Sequence, residues 1–200
     1  MPTLTEPQIA AILAPYLPAS PEILPKLSLY LDLLLKWNAR TNLTAIREPE
    51  EIVRRHFGES LFAAQYLGLC PTLLDFGSGA GFPGLPIAIL KPEIAVTLAE
   101  SQNKKATFLR EVIRTLQLPN AEVWGSRVET MPDPRSFHTV TLRAVDNMAA
   151  AIAAACPRAS HELLLLTSTH PAMPPEFTPE PPIPIPESQS TILLRAIRNS

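Results

Sequence analysis

The sequence is poor in cysteine, in charge and in long apolar runs. It has only two cysteines, Cys70 and Cys156, which lie far apart and form no CxxC pair. This spacing indicates neither a disulfide framework nor a zinc site, and we predict that no metal is bound. Charged residues make up 18% of the chain and its net charge is -2. The charge excludes a global attraction to nucleic acid or to anionic membranes, so any polyanion has to meet a local basic patch.

No membrane-spanning or export signal is visible. Apolar runs stay short of the roughly 20 residues that a spanning helix needs. The N-terminal residues carry Glu6 and prolines, and they lack the basic start and apolar stretch of a secretory signal. We therefore expect a cytoplasmic protein that does not associate with membranes.

Proline, by contrast, is abundant. Eight of the 23 prolines lie between Pro171 and Pro186. Proline interrupts helices and central strands because it lacks an N–H group. We predict an extended surface loop over 169–189, followed by a last edge strand over 190–200.

Hydrophobic periodicity predicts one α/β domain over residues 1–200. Apolar residues at helical spacing indicate a helical extension over 1–68, whose third helix runs from about Pro49 to Leu67. Short apolar runs then alternate with helical segments, which is typical of a mainly parallel sheet covered by helices on both faces. The cofactor-binding core is placed at 69–168. Strands are predicted near 72–76, 94–99, 121–125, 138–142, 161–167 and 190–197, and helices near 84–90, 103–117 and 145–156.

A glycine-rich turn follows the first predicted strand. Gly77, Gly79 and Gly81 form a GxGxG pattern, and Asp75 precedes it by two residues. A dinucleotide site would rest its pyrophosphate on the next helix and needs no acid in the strand. S-adenosylmethionine carries an amino group and a sulfonium instead, and an acid near the turn suits both. Asp75 therefore favours S-adenosylmethionine and a class I, Rossmann-like methyltransferase fold.

Further contacts are expected where the other strands end, because open α/β sheets bind ligands outside the carboxyl ends of their strands. Glu100 follows the second strand, where a carboxylate can accept from both ribose hydroxyls of either cofactor class. Val128 and Glu129 follow the third strand and could meet an adenine ring, although the same residues also suit an ordinary loop. Arg143 follows the fourth strand.

No catalytic residue is predicted. Thr141-Leu142-Arg143-Ala144 stands where methyltransferases of exocyclic amines or ring carbons carry Asn-Pro-Pro-Tyr or Pro-Cys. No His, Cys or Lys is placed by sequence to act as a base, which favours an acceptor that needs no deprotonation. Guanine N7 has a free lone pair, so alignment and charge stabilisation could suffice. His56 is interpreted as a packed or exposed histidine rather than as a catalyst.

A basic rim is predicted from two helices. Arg54 and Arg55 lie on the third helix, and Lys104 and Lys105 on the helix after the second strand. These side chains could contact RNA phosphates. The alternative is a pair of solvated helix faces.

The chain resembles the RsmG (GidB) methyltransferases, which form N7-methylguanosine in 16S ribosomal RNA. The resemblance covers roughly residues 27–149, and its motifs are Lys36-Trp37-Asn38, Asn42-Leu43-Thr44, Arg55-His56-Phe57, Asp75 to Gly84 with its Gly-Phe-Pro-Gly end, Glu100-Ser101, Lys104-Lys105, Ser126-Arg127-Val128-Glu129 and Arg143-Ala144. It implies S-adenosylmethionine as cofactor and the small ribosomal subunit as partner. The resemblance also implies cofactor contacts at Gly77, Phe82, Val128, Glu129 and Arg143. We also expect a monomer.

Three alternatives stay open. The slightly acidic composition also suits a methyltransferase that acts on a small molecule or a protein. A nicotinamide-dependent oxidoreductase would use a similar glycine turn, and a non-catalytic RNA-binding relative would keep only the fold.

Overall fold

A computed structural model describes residues 2–17, 20–132, 135–145 and 147–199. The remaining residues fall within the predicted ranges 1–68, 69–168 and 190–200 and lie outside the described part of the chain. Eight strands of the described residues form one sheet, and their bounds are β1 Thr72–Phe76, β2 Ala95–Ala99, β3 Ala121–Trp124, β4 Phe137–Arg143, β5 Ala159–Thr167, β6 Phe177–Pro179, β7 Ile183–Pro184 and β8 Ile192–Arg198.

The sheet has the order β3-β2-β1-β4-β5-β8-β6, and β7 also pairs with β8. The four pairs that β1 to β5 form with one another are parallel. Only β8 and its partners pair antiparallel. The predicted mainly parallel α/β fold is therefore confirmed, and β1 to β4 end on one edge of the sheet, where ligands of such folds bind.

Seven α-helices flank the sheet among the described residues. Their bounds are α1 Glu6–Leu13, α2 Leu24–Thr41, α3 Pro49–Ile52, α4 Glu59–Ala64, α5 Gly84–Leu90, α6 Asn103–Leu116 and α7 Met148–Ala155. A π-helical turn over Val53–Gly58 joins α3 to α4 into one continuous helix. This helix begins at Pro49, as predicted, and its apolar residues Ile52, Phe57 and Leu61 are buried.

Helices cover both faces of the sheet because successive side chains of a strand point to opposite sides. Leu164 and Leu166 of β5 join the larger core, which includes the N-terminal helices, α5 and α6. Leu163 and Leu165 point the other way, into a smaller core with α7. The continuous apolar run in β5 follows from this double burial.

The C-terminal part differs from its prediction. The strand predicted as an edge over 190–200 is β8, and it lies inside the sheet, with β5 on one side and β6 and β7 on the other. The proline-rich segment predicted as a loop supplies these two short strands. The physical reason is that a proline without an N–H is tolerated in an edge strand.

No helix among the described residues is long and apolar enough to cross a membrane.

Candidate cofactor and acceptor site

The glycine turn after β1 is shaped by close packing. A Cβ atom on Gly81, which has φ +95, would lie 2.4 Å from Leu85 Cδ1 and 2.6 Å from Tyr30 Oη. A Cβ on Gly84 would lie 2.4 Å from Leu98 Cδ2. Since real Cβ atoms do not approach so closely, larger residues would displace the turn.

Asp75 holds this turn from behind. Its side chain is buried, Oδ2 accepts the Gly84 N–H at 3.2 Å, and Oδ1 accepts the Thr141 hydroxyl at 2.8 Å. Burial raises the pKa of the Asp75 carboxyl to about 6, although its hydrogen bonds act in the opposite direction. The carboxylate predicted beside the cofactor thus shapes the turn and does not line the cavity in front of it.

Glu100, which follows β2, also accepts backbone N–H groups near the glycine turn, but unlike Asp75 it faces the cavity in front of the turn. Its Oε2 accepts the Gly79 N–H at 3.0 Å, and its Oε1 accepts the Gln102 N–H at 2.7 Å. Each carboxylate oxygen has a second lone pair, so the side chain can also accept from a diol. Glu100 lines the cavity, as a ribose-binding residue must.

In front of the turn lies a cavity of about 460 Å³, which we call the cofactor cavity. Its volume is within the range of small-molecule sites. Its lining comes from the segments that follow β1, β2 and β4, from the start of α6, from the segment between α2 and α3 and from the π-helical turn: Leu43, Thr44, Ala45, His56, Gly77, Ser78, Gly79, Ala80, Phe82, Glu100, Gln102, Lys105, Arg143, Ala144 and Val145. Five predicted cofactor residues, Gly77, Gly79, Phe82, Glu100 and Arg143, are brought together here.

Phe82 is fixed by aromatic neighbours. Its ring stacks on Tyr30, with centroids 5.3 Å apart, and on His56 at 4.8 Å, and Phe57 meets it edge-on at 5.2 Å. Such arrangements add to the stability that burial alone provides. The cluster links the helical extension to the wall of the cofactor cavity.

Arg143 is held by three groups of the continuous helix that α3, the π-helical turn and α4 form. Its Nη1 donates to Nδ1 of His56 at 2.9 Å, and its Nη2 donates to the Arg55 carbonyl at 3.0 Å and to Glu59 Oε2 at 2.8 Å. The Arg143 side chain is 11% exposed and that of Glu59 is 3% exposed. Burial, Arg143 and Arg55 together lower the pKa of His56 well below its usual value. A buried ion pair with a neutral histidine therefore forms this wall.

Sequence reasoning missed the roles of His56 and Glu59. His56 is indeed packed, but it also lines the cofactor cavity. The Arg55-His56-Phe57 motif was visible, yet nothing in it indicates contact with a residue 87 positions further along the chain.

A second cavity of about 390 Å³ adjoins the first and shares Arg143, Ala144 and Val145 with it. We call it the acceptor cavity. Its other lining residues are mostly polar: Arg55, Glu59, Met148, Leu166, Thr167, Ser168, Thr169, Ser190 and Thr191.

The remaining predicted residues lie apart from the cofactor cavity. Val128 is buried in a 3-10 turn after β3, and the next residue, Glu129, is exposed, but neither lines this cavity. Arg54 pairs with Glu51 at 2.9 Å and Glu187 at 3.3 Å. Lys104 is exposed at the start of α6. The four residues of the predicted basic rim therefore do not lie at one site. Among them, Lys105 alone lines the cofactor cavity and Arg55 alone lines the acceptor cavity.

In the part of the chain that the structure describes, no group of three or more His, Cys, Asp or Glu residues is arranged to hold a metal ion.

Several solved structures that are similar to this fold are methyltransferases. A putative O-methyltransferase from Klebsiella pneumoniae superposes with a TM-score of 0.64 at 14% identity, covering 98% of this chain and 99% of that one. The N-methyltransferase NodS from Bradyrhizobium japonicum, crystallised with S-adenosyl-L-homocysteine, gives a TM-score of 0.59 at 13% identity and covers 82% and 98%. The strand order and the position of the glycine turn therefore define the class I methyltransferase fold.

A comparison with family models identifies the family within this fold. The family model described as rRNA small subunit methyltransferase G (GidB) matches residues 23–172. The chain belongs to this family. Proteins named ribosomal RNA small subunit methyltransferase G from Xanthomonas euvesicatoria pv. vesicatoria and Stenotrophomonas maltophilia are 48% identical over 124 residues and 47% identical over 125. Each match covers 62% of this chain and spans 58% of the length of the relative.

Proposed function

We propose that this protein methylates N7 of a guanine in 16S ribosomal RNA of the small subunit, with S-adenosylmethionine as cofactor. Membership of the GidB family supports the proposal. The observation that carries it is the cofactor cavity, which brings Gly77, Glu100 and Arg143 to one edge of the sheet.

The lining residues fit this cofactor. Glu100 has free lone pairs for the ribose hydroxyls, and the Gly77 to Gly79 backbone allows close approach to the ligand. Phe82 and Arg143 line the same cavity, and His56 contacts both of them. Val128 and Glu129 do not line the cofactor cavity, but we assign the adenine contacts to them because they follow β3, which pairs with β2, the strand just before Glu100. When bound, S-adenosylmethionine supplies a methyl group on a positively charged sulfur.

The acceptor base would enter the acceptor cavity, since this cavity and the cofactor cavity share Arg143, Ala144 and Val145 as lining residues. Guanine N7 attacks with its own lone pair, so no residue has to remove a proton. His56 is unsuited to that task because its Nδ1 already accepts from Arg143. The chain's contribution is alignment and exclusion of water. Hydroxyls of Thr167, Ser168 and Ser190 can hydrogen-bond base edges.

RNA binding is assigned to Arg55, Lys104 and Lys105, with Arg54 at the periphery. Glu51 and Glu187 already pair with Arg54, so we expect it to contribute least. We further propose that the protein acts as a cytoplasmic monomer on the small ribosomal subunit.

The test is methyl transfer to small subunits purified from a strain that lacks this modification. Methyl-labelled S-adenosylmethionine should label 16S RNA, and nucleoside mass spectrometry should identify 7-methylguanosine. Glu100→Ala should abolish labelling. RNA retention should weaken steeply with salt, because phosphate contacts release counterions.

Three other outcomes would contradict the proposal. Labelling of small molecules or proteins alone would indicate a different acceptor. Tight NAD binding without S-adenosylmethionine binding would indicate an oxidoreductase. RNA binding without cofactor binding would indicate a non-catalytic relative.

A further inference from the structure

The segment between α2 and α3 forms a rigid wall of the cofactor cavity at Thr44. The buried Asn38 side chain pairs with both backbone groups of Thr44: its Nδ2 donates to the Thr44 carbonyl at 3.0 Å, and its Oδ1 accepts the Thr44 N–H at 3.0 Å. The neighbouring Leu43 is buried in the core. Thr44 therefore has a fixed position, although it lies outside regular secondary structure.

Hydrogen-bonding rules determine what the Thr44 hydroxyl can offer. Arginine can only donate, so Nδ1 of His56 must accept from Arg143, and the ring proton lies on Nε2. Nε2 then donates to Thr44 Oγ1 at 2.7 Å, and the Ile46 N–H donates to the same oxygen at 3.3 Å. Both lone pairs of the hydroxyl are occupied. What remains is its O–H donor.

This donor has no acceptor among the described residues. Thr44 Oγ1 makes no further hydrogen bond there beyond the two that it accepts. The residue is only partly buried and lines the cofactor cavity. A ligand in the cavity is therefore the natural acceptor for the Thr44 hydroxyl proton.

The position of Thr44 selects the part of the ligand. Glu100 marks the ribose end, at the carboxyl end of β2. Thr44 is linked through His56 to Arg143, which ends β4 on the other side of β1. A ligand whose ribose lies at Glu100 would extend its amino-acid end toward this side. There the guanidinium of Arg143 is already paired with Glu59. The Thr44 hydroxyl is the donor left for a carboxylate, which prefers such donors.

We propose that the Thr44 hydroxyl donates a hydrogen bond to the carboxylate at the amino-acid end of the cofactor, with His56 as the residue that positions it. The inference rests on the proposed function, because it assumes an S-adenosylmethionine-like ligand. It adds to the site a residue of the helical extension.

Two ligands separate this contact from a general effect on the fold. S-adenosylhomocysteine carries the amino-acid end, whereas 5′-methylthioadenosine has the same adenosine and thioether without it. Calorimetric titration of both should show that Thr44→Val weakens S-adenosylhomocysteine binding roughly tenfold, the effect of losing a hydrogen bond to a charged group. Binding of 5′-methylthioadenosine should stay unchanged. Thr44→Ser should recover the affinity for S-adenosylhomocysteine.

The matched control is Thr41→Val, the same change on α2 outside the cavity, where the hydroxyl donates only to the Trp37 carbonyl. It should leave both affinities unchanged. If Thr44→Val unfolds, judged by circular dichroism, Thr44→Ala removes the hydroxyl with less steric constraint and is measured in the same way.

An equal loss of both ligands in the Thr44 variant would overturn the inference, because Thr44 would then act through the fold. Unchanged S-adenosylhomocysteine binding would overturn it as well, and a rise in the KM for RNA alone would place the hydroxyl on the acceptor base. Failure of the unaltered protein to bind either ligand would instead refute the proposed function itself.

Discussion

The two sides of the cofactor cavity differ in which groups form them: backbone groups on one side and side chains on the other. On the side of β1 and β2, the buried carboxylates of Asp75 and Glu100 accept backbone N–H groups and so hold the main chain of the glycine turn in place. On the β4 side, the wall consists of side chains, and Arg143 is oriented by His56 and Glu59. On the first side, replacing a glycine by a larger residue should therefore lower the stability of the protein. On the second side, removing one partner of the ion pair should do so.

The largest effect is expected on the main-chain side, from Gly81→Ala. A left-handed φ and the contacts with Leu85 and Tyr30 together should lower the free energy of unfolding by about 4 to 5 kcal/mol. Urea unfolding measures this change. The control is Gly68→Ala, whose Cβ would meet no heavy atom within 4 Å. Equal stability of the two variants would show that the turn tolerates a side chain after all.

Glu59→Ala tests the side-chain side. Removal of one partner from a buried ion pair leaves Arg143 uncompensated and should cost about 3 to 4 kcal/mol of stability. Binding of S-adenosylhomocysteine should weaken too, because Arg143 loses its orientation. Glu50→Ala, an exposed change in the same helix, is the control and should match the wild type in thermal unfolding. A Glu59 variant as stable as this control would deny the pair its structural role.

Asp75→Asn should reveal a pH dependence of stability. Because burial raises the folded pKa of Asp75 to about 6, the native state holds this proton where the unfolded chain, with a pKa of 3.8, has lost it. The stability that the protonated carboxyl contributes is complete below the unfolded pKa and is lost as the pH rises to about 6. The asparagine variant lacks this step.

Unfolding free energies of both proteins should be measured from pH 3.5 to 7.5. Over this pH range, the unfolding free energy of the wild type should fall by roughly 2 to 3 kcal/mol relative to that of the variant, because a pKa difference of about two units between the folded and unfolded states corresponds to this free energy. Other titrating groups cancel in the difference. Parallel curves would mean that Asp75 titrates normally in the fold.

Arg54→Gln should have the smallest effect. The Arg54 side chain is 38% exposed, and its partners Glu51 and Glu187 are 40% and 47% exposed. Exposed ion pairs contribute less than about 1 kcal/mol, so chemical unfolding should barely change. A loss as large as that of Glu59→Ala would contradict the distinction between buried and exposed pairs.

The main-chain side could be predicted from the sequence because its signals are local. Apolar runs located β1 to β5 to within two residues of their bounds, and the turn with its flanking carboxylates is nearly contiguous. The role of Asp75 could not be predicted, since an acid before a glycine turn can face the ligand or brace the turn. Only the buried contacts with Gly84 and Thr141 distinguish the two.

The side-chain side could not be predicted, because its contacts join residues that are distant in the sequence. Glu59 and Arg143 are 84 positions apart, and neither residue type specifies the other. The predicted position of β8 at the edge of the sheet was wrong for a related reason. Two short proline-bearing strands carry little periodicity, and their pairing depends on an edge that exists only once the sheet has formed.

The proline-rich segment protects one edge of the sheet. Unpaired strand edges invite pairing with other chains and hence aggregation, and proline is one of the residues that prevents it. Here Pro179 and Pro184 lie in the strands that cover β8, and neither can offer an N–H to an incoming chain. β6 and β7 thus occupy the edge of the largely apolar β8, which would otherwise be open to pairing with another chain.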